Sequence, residues 1–245
     1  ARQNFLTACQ YNEYVMDTHL QIGRDAVRGA VELRGNGEII KKEALLDING
    51  WNNETITDDL DMSTRLHIKG WDIRFCPDAV VYEEGVIPFP ALIRQRRRWV
   101  EGSIRRYLEY AQDILFTKDM TLRVGFDLIA YISEFLLPFW LVSEITIQAF
   151  RFVKGYSNDI LSSLVLVACT AVFFASGLIY SLRKYSHYSF FRAIYEALVT
   201  AVYVVTIWFP IVLFIILKIV FTRKTMDWGK TQHGVSDVIT PKEAC

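Results

Sequence analysis

Three blocks of apolar positions and one mixed stretch set the outline of the chain. Ile160 to Leu182 runs 23 residues without a charge, between Asp159 and Arg183-Lys184. At about 1.5 Å per residue, a helix of that length spans a hydrocarbon core. Val124 to Phe150 is also long enough, but it holds Asp127, Glu134 and Glu144. Each would cost about 2.5–3.5 kcal/mol at a bilayer centre, so the segment is expected to span with its carboxylates at the ends or turned toward protein. Ala197 to Leu217 is charge-free but broken by Pro210 and preceded by the amphipathic run Phe190 to Glu196. It fits either a crossing or an interfacial path.

The mixed stretch is 91–118, where Ile93, Val100, Ile104, Leu108, Ala111 and Leu115 recur at helical spacing among Arg94, Arg96, Arg97, Arg98, Arg105 and Arg106. A solvated basic helix face would show the same pattern. Its place directly before the first apolar block favours an interfacial helix on the cytoplasmic, anionic side.

Residues 1–90 mix helical and strand periods, which predicts an α/β unit. Phe5 to Arg28 reads as a helix, Gly35-Asn36-Gly37 as a tight turn, Glu38-Ile39-Ile40 as a short strand, and Lys41 to Leu46 as a helical turn. Thr57 is a good N-cap for a helix from Asp58 to Lys69, with acidic residues in its first turn and Gly70 as its stop. Asp72 to Phe75 and Ala79 to Tyr82 read as strands around Cys76-Pro77-Asp78.

Composition sharpens this division. The chain is 52% hydrophobic and 14% aromatic, with a mean hydropathy of +0.20, which excludes a disordered chain and points to a membrane protein. Its net charge of zero hides a partition: 9 basic and 15 acidic residues over 1–90, 7 and 3 over 91–118, and 11 and 9 in the remainder. Nothing in this balance suggests a nucleic-acid partner. Cys9, Cys76, Cys169 and Cys245 are isolated and expected to be free, without metal-ligand or redox spacing. The sequence opens at Ala1 without a leader, and truncation at the front is one expectation.

Glu54, Asp58, Asp59 and Asp61 crowd one stretch. Capping and dipole complementation account for Asp58 and Asp59, and Asp59-Leu60-Asp61 alone is a weak metal pattern. An ordered set of motifs raises the odds of chemistry here: Gly35-Asn36-Gly37, Thr57-Asp58-Asp59-Leu60-Asp61, Gly70-Trp71, Gln95-Arg96-Arg97-Arg98-Trp99, the apolar blocks, then Trp228-Gly229-Lys230-Thr231-Gln232-His233-Gly234. This set resembles the membrane-integrated glycosyltransferase family 2 of cellulose, chitin, hyaluronan and poly-N-acetylglucosamine synthases. The resemblance covers essentially the whole chain, and its most specific element is Q-x-x-R-W following a T-[ED]-D-x-D cluster.

The resemblance implies the C-terminal, acceptor-side part of a GT-A-like domain over 1–90, interfacial helices over 91–121, a membrane region over 122–221 and a cytoplasmic tail over 222–245. It makes Asp59 the general base, with Asp58 and Asp61 orienting and capping. Gln95 and Arg98 inherit places near the nucleotide diphosphate, and Trp99 a place under the acceptor sugar; guanidinium fork and indole face suit those tasks. Gly35, Asn36 and Gly37 lie near the sugars or form a hairpin turn. Arg96 and Arg97 fall at variable positions and are expected to be lipid-facing charge. Trp228, Lys230, Thr231 and His233 resemble a loop that closes over the nucleotide, the bland alternative being a polar tail. If they do form that loop, the C-terminus is cytoplasmic and Phe190 to Phe221 is interfacial or re-entrant.

The donor-binding half of the family, with its D-x-D for Mg²⁺ or Mn²⁺, has no counterpart before Asp59. It is expected in cis or on another chain. The implied partners are a nucleotide-sugar donor, a glycan or lipid acceptor and membrane lipids, at the plasma (inner) membrane. The Trp228 loop and the apolar blocks favour a processive polysaccharide synthase. A non-processive lipid glycosyltransferase and a non-catalytic subunit of a split synthase are the alternatives.

Overall fold

The structure is a computed structural model that describes residues 3–156 and 160–222. Its first helix, α1 (Phe5–Ala26), opens with a reciprocal cap: Thr7 N donates to Asn4 Oδ1 at 2.9 Å and Asn4 N to Thr7 Oγ1 at 2.9 Å. The chain leaves α1 two residues earlier than the apolar pattern predicts, and Arg28 turns into the left-handed region (φ 58).

Helices α2 (Lys42–Asp47), α3 (Asp58–Ile68), α4 (Phe89–Glu109) and α5 (Ala111–Phe116) follow. Gly70 stops α3 as expected, with φ +77 and no room for a side chain: a Cβ there would sit 2.8 Å from the Asp119 carbonyl oxygen. The segments expected as strands at 38–40, 72–75 and 79–82 run without a ladder, and no strand is present among the described residues. The α/β expectation is therefore not met. A strand needs a neighbour to take its N–H and C=O groups, and none of the three segments pairs with another.

The three apolar blocks become α6 (Leu122–Val153), α7 (Ile160–Tyr185), and a continuous 32-residue helix over Phe190–Phe221. All three are long and apolar enough to cross a membrane. The third consists of α8 (Phe190–Tyr203), a π-helical turn (Val204–Trp208) and α9 (Phe209–Phe221). Pro210 does not reverse the chain. Its ring would crowd the carbonyl four residues back, and the wider π turn just before it gives that carbonyl room. The helix is about 48 Å long at 1.5 Å per residue, and it does not turn back as a re-entrant segment would.

Of the α6 carboxylates, Asp127 meets the expectation of lying at an end and facing protein. Asp127, near its start, accepts from Ala30 N at 2.8 Å and lies 3.4 Å from Arg24 Nε. Gly29 makes that approach possible, since a Cβ there would lie 2.6 Å from Asp127 Oδ2. Glu144 accepts from Gln148 Nε2 at 2.8 Å.

Helix α1 packs against α7 and α8. Val15 packs with Leu178, Leu182, Ala193 and Ala197, and Asn12 Nδ2 donates to Glu196 at 3.0 Å and Thr200 at 2.9 Å. Helix α4 lies against α9: Leu92 and Val100 share a core with Ile207, Ile211, Val212 and Ile215, and Lys218 Nζ reaches Glu101 at 2.7 Å. Arg96 corrects the expectation that it is lipid-facing charge. Arg96 is buried and paired with Glu13, Arg106 is buried and paired with Glu32, Arg105 pairs with Glu101, and the Arg97 guanidinium lies 4.4 Å above the Phe214 ring. Burying a cation requires a partner, and the acidic side chains of the first domain supply most of them.

Candidate active site

The site is built where the start of α3 meets the turn after Arg34 and the middle of α4. Thr57 has the extended backbone of an N-cap, yet its hydroxyl makes no capping bond and is buried without a hydrogen-bond partner. The reason lies across the interface. A Cβ on Gly102 of α4 would meet Thr57 Cγ2 at 2.5 Å and Oγ1 at 2.6 Å, so α3 and α4 touch here backbone to side chain. The cap role passes to the acidic residues of the first turn through the helix dipole.

Asp59 is half-buried, and its Oδ1 accepts from Leu60 N at 2.8 Å. Oδ2 faces the Gly35 turn: a Cβ on Gly35 would lie 3.2 Å from it. Gly35 and Gly37 both take positive φ (77 and 62), which only glycine adopts without strain. The triplet is thus a wall of the Asp59 site rather than a hairpin turn. Gly35 N donates to Glu38 at 2.6 Å, Asn36 Nδ2 to Glu83 at 3.0 Å, and Gly37 abuts Val81.

Burial pushes the Asp59 carboxyl above its ordinary value of 3.8; the Leu60 amide opposes the rise, neighbouring Asp58 adds to it, and Arg34 opposes it. Burial likewise raises Glu38, aided by Asp59 and Asp58. Asp58 is half-buried on the first turn of α3. Asp61 is a structural residue: buried, it binds Arg65 Nε at 2.7 Å, the Tyr110 hydroxyl at 2.8 Å and Asn52 Nδ2 at 3.2 Å.

From α4 come the residues of the Q-x-x-R-W motif. Gln95 is buried and accepts from Arg96 Nη1 at 2.9 Å. Arg98 is half-buried, and its Nε is buried without a hydrogen-bond partner among the described residues. Trp99 is half-buried with Arg96 stacked 4.3 Å from its ring. Trp228, Lys230, Thr231 and His233 lie outside the described residues.

Sequence reasoning missed the charges that hold these parts in register. Glu32, 4% exposed, bonds Arg106 Nη1 at 2.8 Å, Arg34 Nη1 at 3.1 Å and Arg24 Nη1 at 3.2 Å, tying α4, the Gly35 turn and α1 together. Burial alone would raise its carboxyl, but Arg106, Arg34 and Arg24 hold it at about 2. Arg34 also grips Asp17 through both carboxylate oxygens, at 2.9 and 2.5 Å. Gly102 carried a legible signal: a glycine inside a long helix costs about 1 kcal/mol against alanine and asks for a reason. Buried ion pairs between distant residues leave no such mark.

No group of three His, Cys, Asp or Glu side chains among the described residues is placed to hold a metal ion. The divalent cation that the resemblance implies finds no ligand set among the described residues.

The sequence model for "Glycosyl transferase family group 2" matches residues 1–222. The chain is 31% identical over 234 residues to "Beta-monoglucosyldiacylglycerol synthase" of Trichormus variabilis, covering 95% of this chain and 50% of that protein. It is 32% identical to the protein of the same name from Synechocystis sp., covering 95% and 49%. "Probable glucomannan 4-beta-mannosyltransferase 7" of Oryza sativa subsp. japonica is 26% identical over 109 residues, 43% of this chain and 19% of the relative. The chain spans about half the length of the curated relatives that match along most of it. No solved structure matches it. With the carboxylate at the start of α3, the motif on α4 and three helices fit for a membrane, this chain belongs to glycosyl transferase family group 2.

Proposed function

We propose that this chain is the acceptor-side and membrane part of an inverting transferase that moves one hexose from a nucleotide sugar to a diacylglycerol-like membrane lipid. The observation that carries the lipid acceptor is the extent of similarity. The relatives whose names specify a glucosyldiacylglycerol match along 95% of the chain, apolar blocks included, whereas the glucomannan mannosyltransferase matches 43%. A growing polysaccharide is therefore the second choice of acceptor. The donor-binding half is expected in cis or on another chain, with the α3–α4 face on the cytoplasmic side.

In this reading Asp59 Oδ2 takes the proton of the acceptor hydroxyl while the hydroxyl oxygen attacks the anomeric carbon. The bond to the diphosphate breaks, its electron pair leaves with the phosphate oxygen, and a single displacement inverts the configuration. The hydroxyl becomes acidic only in the transition state, so a positioned carboxylate suffices and contributes about 10²–10⁴ in rate. Arg98, with donors to spare, meets the charge that develops on the leaving diphosphate. Trp99 offers an indole face to the acceptor head group or to the sugar.

Product analysis tests this. The full-length natural protein is supplied with radiolabelled nucleotide-glucose donors and vesicles containing dioleoylglycerol. The expected product is a single-sugar lipid that extracts into organic solvent. A long, glycosidase-sensitive polymer retained in the aqueous phase would overturn the lipid reading.

A further inference from the structure

Arg96, at a variable position of the motif, is the largest side chain among the described residues with less than 2% exposure, at 1%. Its Nη2 lies 2.5 Å from Glu13 Oε2 on α1, and its Nη1 donates to Gln95 Oε1 at 2.9 Å. The guanidinium carbon lies over two indoles, 4.3 Å from the Trp99 ring centroid and 5.3 Å from that of Trp208. Glu13 in turn accepts from Trp208 Nε1 and, at 3.3 Å, from the Tyr203 hydroxyl. Trp208 closes the π-helical turn of the third apolar helix, and Tyr203 directly precedes it. One planar cation thus touches an amide and an indole of the motif on one side and the membrane helix on the other.

We infer that Arg96 is a positioning residue for the acceptor platform: clamped by Glu13 and Trp208, its guanidinium fixes the Trp99 ring and the Gln95 amide. The inference rests on Trp99 meeting the acceptor, as proposed above. The planar group is what the task requires. A lysine can keep the charge pair with Glu13, but it cannot lie over both rings and donate to Gln95 at once. The site also explains why a charge is tolerated at this depth: the guanidinium meets a carboxylate, an amide oxygen and two π faces. The Nε atom alone has no partner.

The test uses the full-length protein in nanodiscs, with UDP-glucose and dioleoylglycerol as substrates and Arg96→Lys as the variant. The acceptor KM is expected to rise about tenfold or more, the donor KM to rise less, through the loosened Gln95 amide, and kcat to stay within about twofold, the signature of a lost binding platform rather than lost chemistry. Hydroxyl-radical footprinting read by mass spectrometry gives a substrate-independent measure. Oxidation at Trp99 should rise several-fold in the variant, while Trp71, remote from α4 beside Asp47, stays at the wild-type level. If R96K does not accumulate, Glu13→Gln carries the same test, because it weakens the clamp and leaves the guanidinium in place. Unchanged Trp99 oxidation, or a fall in kcat at constant acceptor KM, overturns the inference. If the wild-type protein glucosylates no dioleoylglycerol, the lipid reading fails while the Trp99 footprint still decides whether Arg96 holds the ring.

Discussion

Gly102→Ala is the sharpest perturbation available, because the structure fixes both its cost and its remedy. The added methyl would sit 2.5 Å from Thr57 Cγ2, 2.6 Å from Oγ1 and 3.0 Å from Cβ. Rotating the Thr57 side chain cannot relieve all three, since Cβ moves only with the backbone. Helices α3 and α4 must separate, and overpacking of this kind costs about 1–3 kcal/mol. The functional effect should be larger than the loss of stability. Asp59 rides on α3 and Arg98 and Trp99 on α4, and a displacement of about 1 Å between reacting groups can cost about a hundredfold in rate. Thr57→Ala alone should be nearly neutral: it loses one methyl worth about 0.8 kcal/mol but also a hydroxyl buried without a partner. Combining the two removes the Cγ2 and Oγ1 clashes and should recover most of the lost stability and activity. Thermal unfolding and kcat of the four proteins in one detergent complete the cycle. If Gly102→Ala matches wild type, or if Thr57→Ala does not rescue it, the close α3–α4 contact is not what positions Asp59.

Other outcomes follow from the charges. Asp58→Asn removes a neighbour that raises the Asp59 carboxyl, so the acid limb of the pH–rate profile should move to lower pH; a shift to higher pH contradicts the assignment of Asp59 as base. Glu32 has a folded-state value of about 2 against an ordinary 4.5, so its stabilisation is fully present above about pH 4.5 and is lost as pH falls toward 2. Glu32→Gln should cost about 3–5 kcal/mol at neutral pH, leaving three arginines short of a partner, and should flatten stability across that acid window. Tyr110→Phe frees one of the three bonds to Asp61 and should lower thermal stability by about 1 kcal/mol with kcat unchanged, because Asp61 is a structural residue.

The helices were legible wherever one sequence period dominated. The charge-free run over 160–182 became α7, and the Thr57 and Gly70 signals bracketed α3 within a residue. The strands were not. Alternation at 72–75 and 79–82 describes a chain able to pair, but pairing depends on a neighbour that local pattern cannot supply. Pro210 reads as a break because its local rule is strong; the π turn at Val204–Trp208 answers that rule without ending the helix. The acidic cluster was legible as a site only together with the later motif, and within it the structure separates Asp59, facing the Gly35 turn, from Asp61, consumed by Arg65 and Tyr110. Arg96 shows the opposite failure. An arginine amid arginines on an amphipathic helix looks solvated, and only the fold brings Glu13 and Trp208 to it.

The most direct measurement is transfer by the full-length protein and its Asp59→Asn variant, side by side, from a labelled nucleotide glucose to dioleoylglycerol, with donor binding measured by calorimetry on the same preparations. The account predicts a single-sugar lipid of inverted anomeric configuration from wild type. It predicts at least a hundredfold loss in the variant, with donor affinity kept within about twofold, because the base is not a donor ligand. Transfer by Asp59→Asn at the wild-type rate would contradict it.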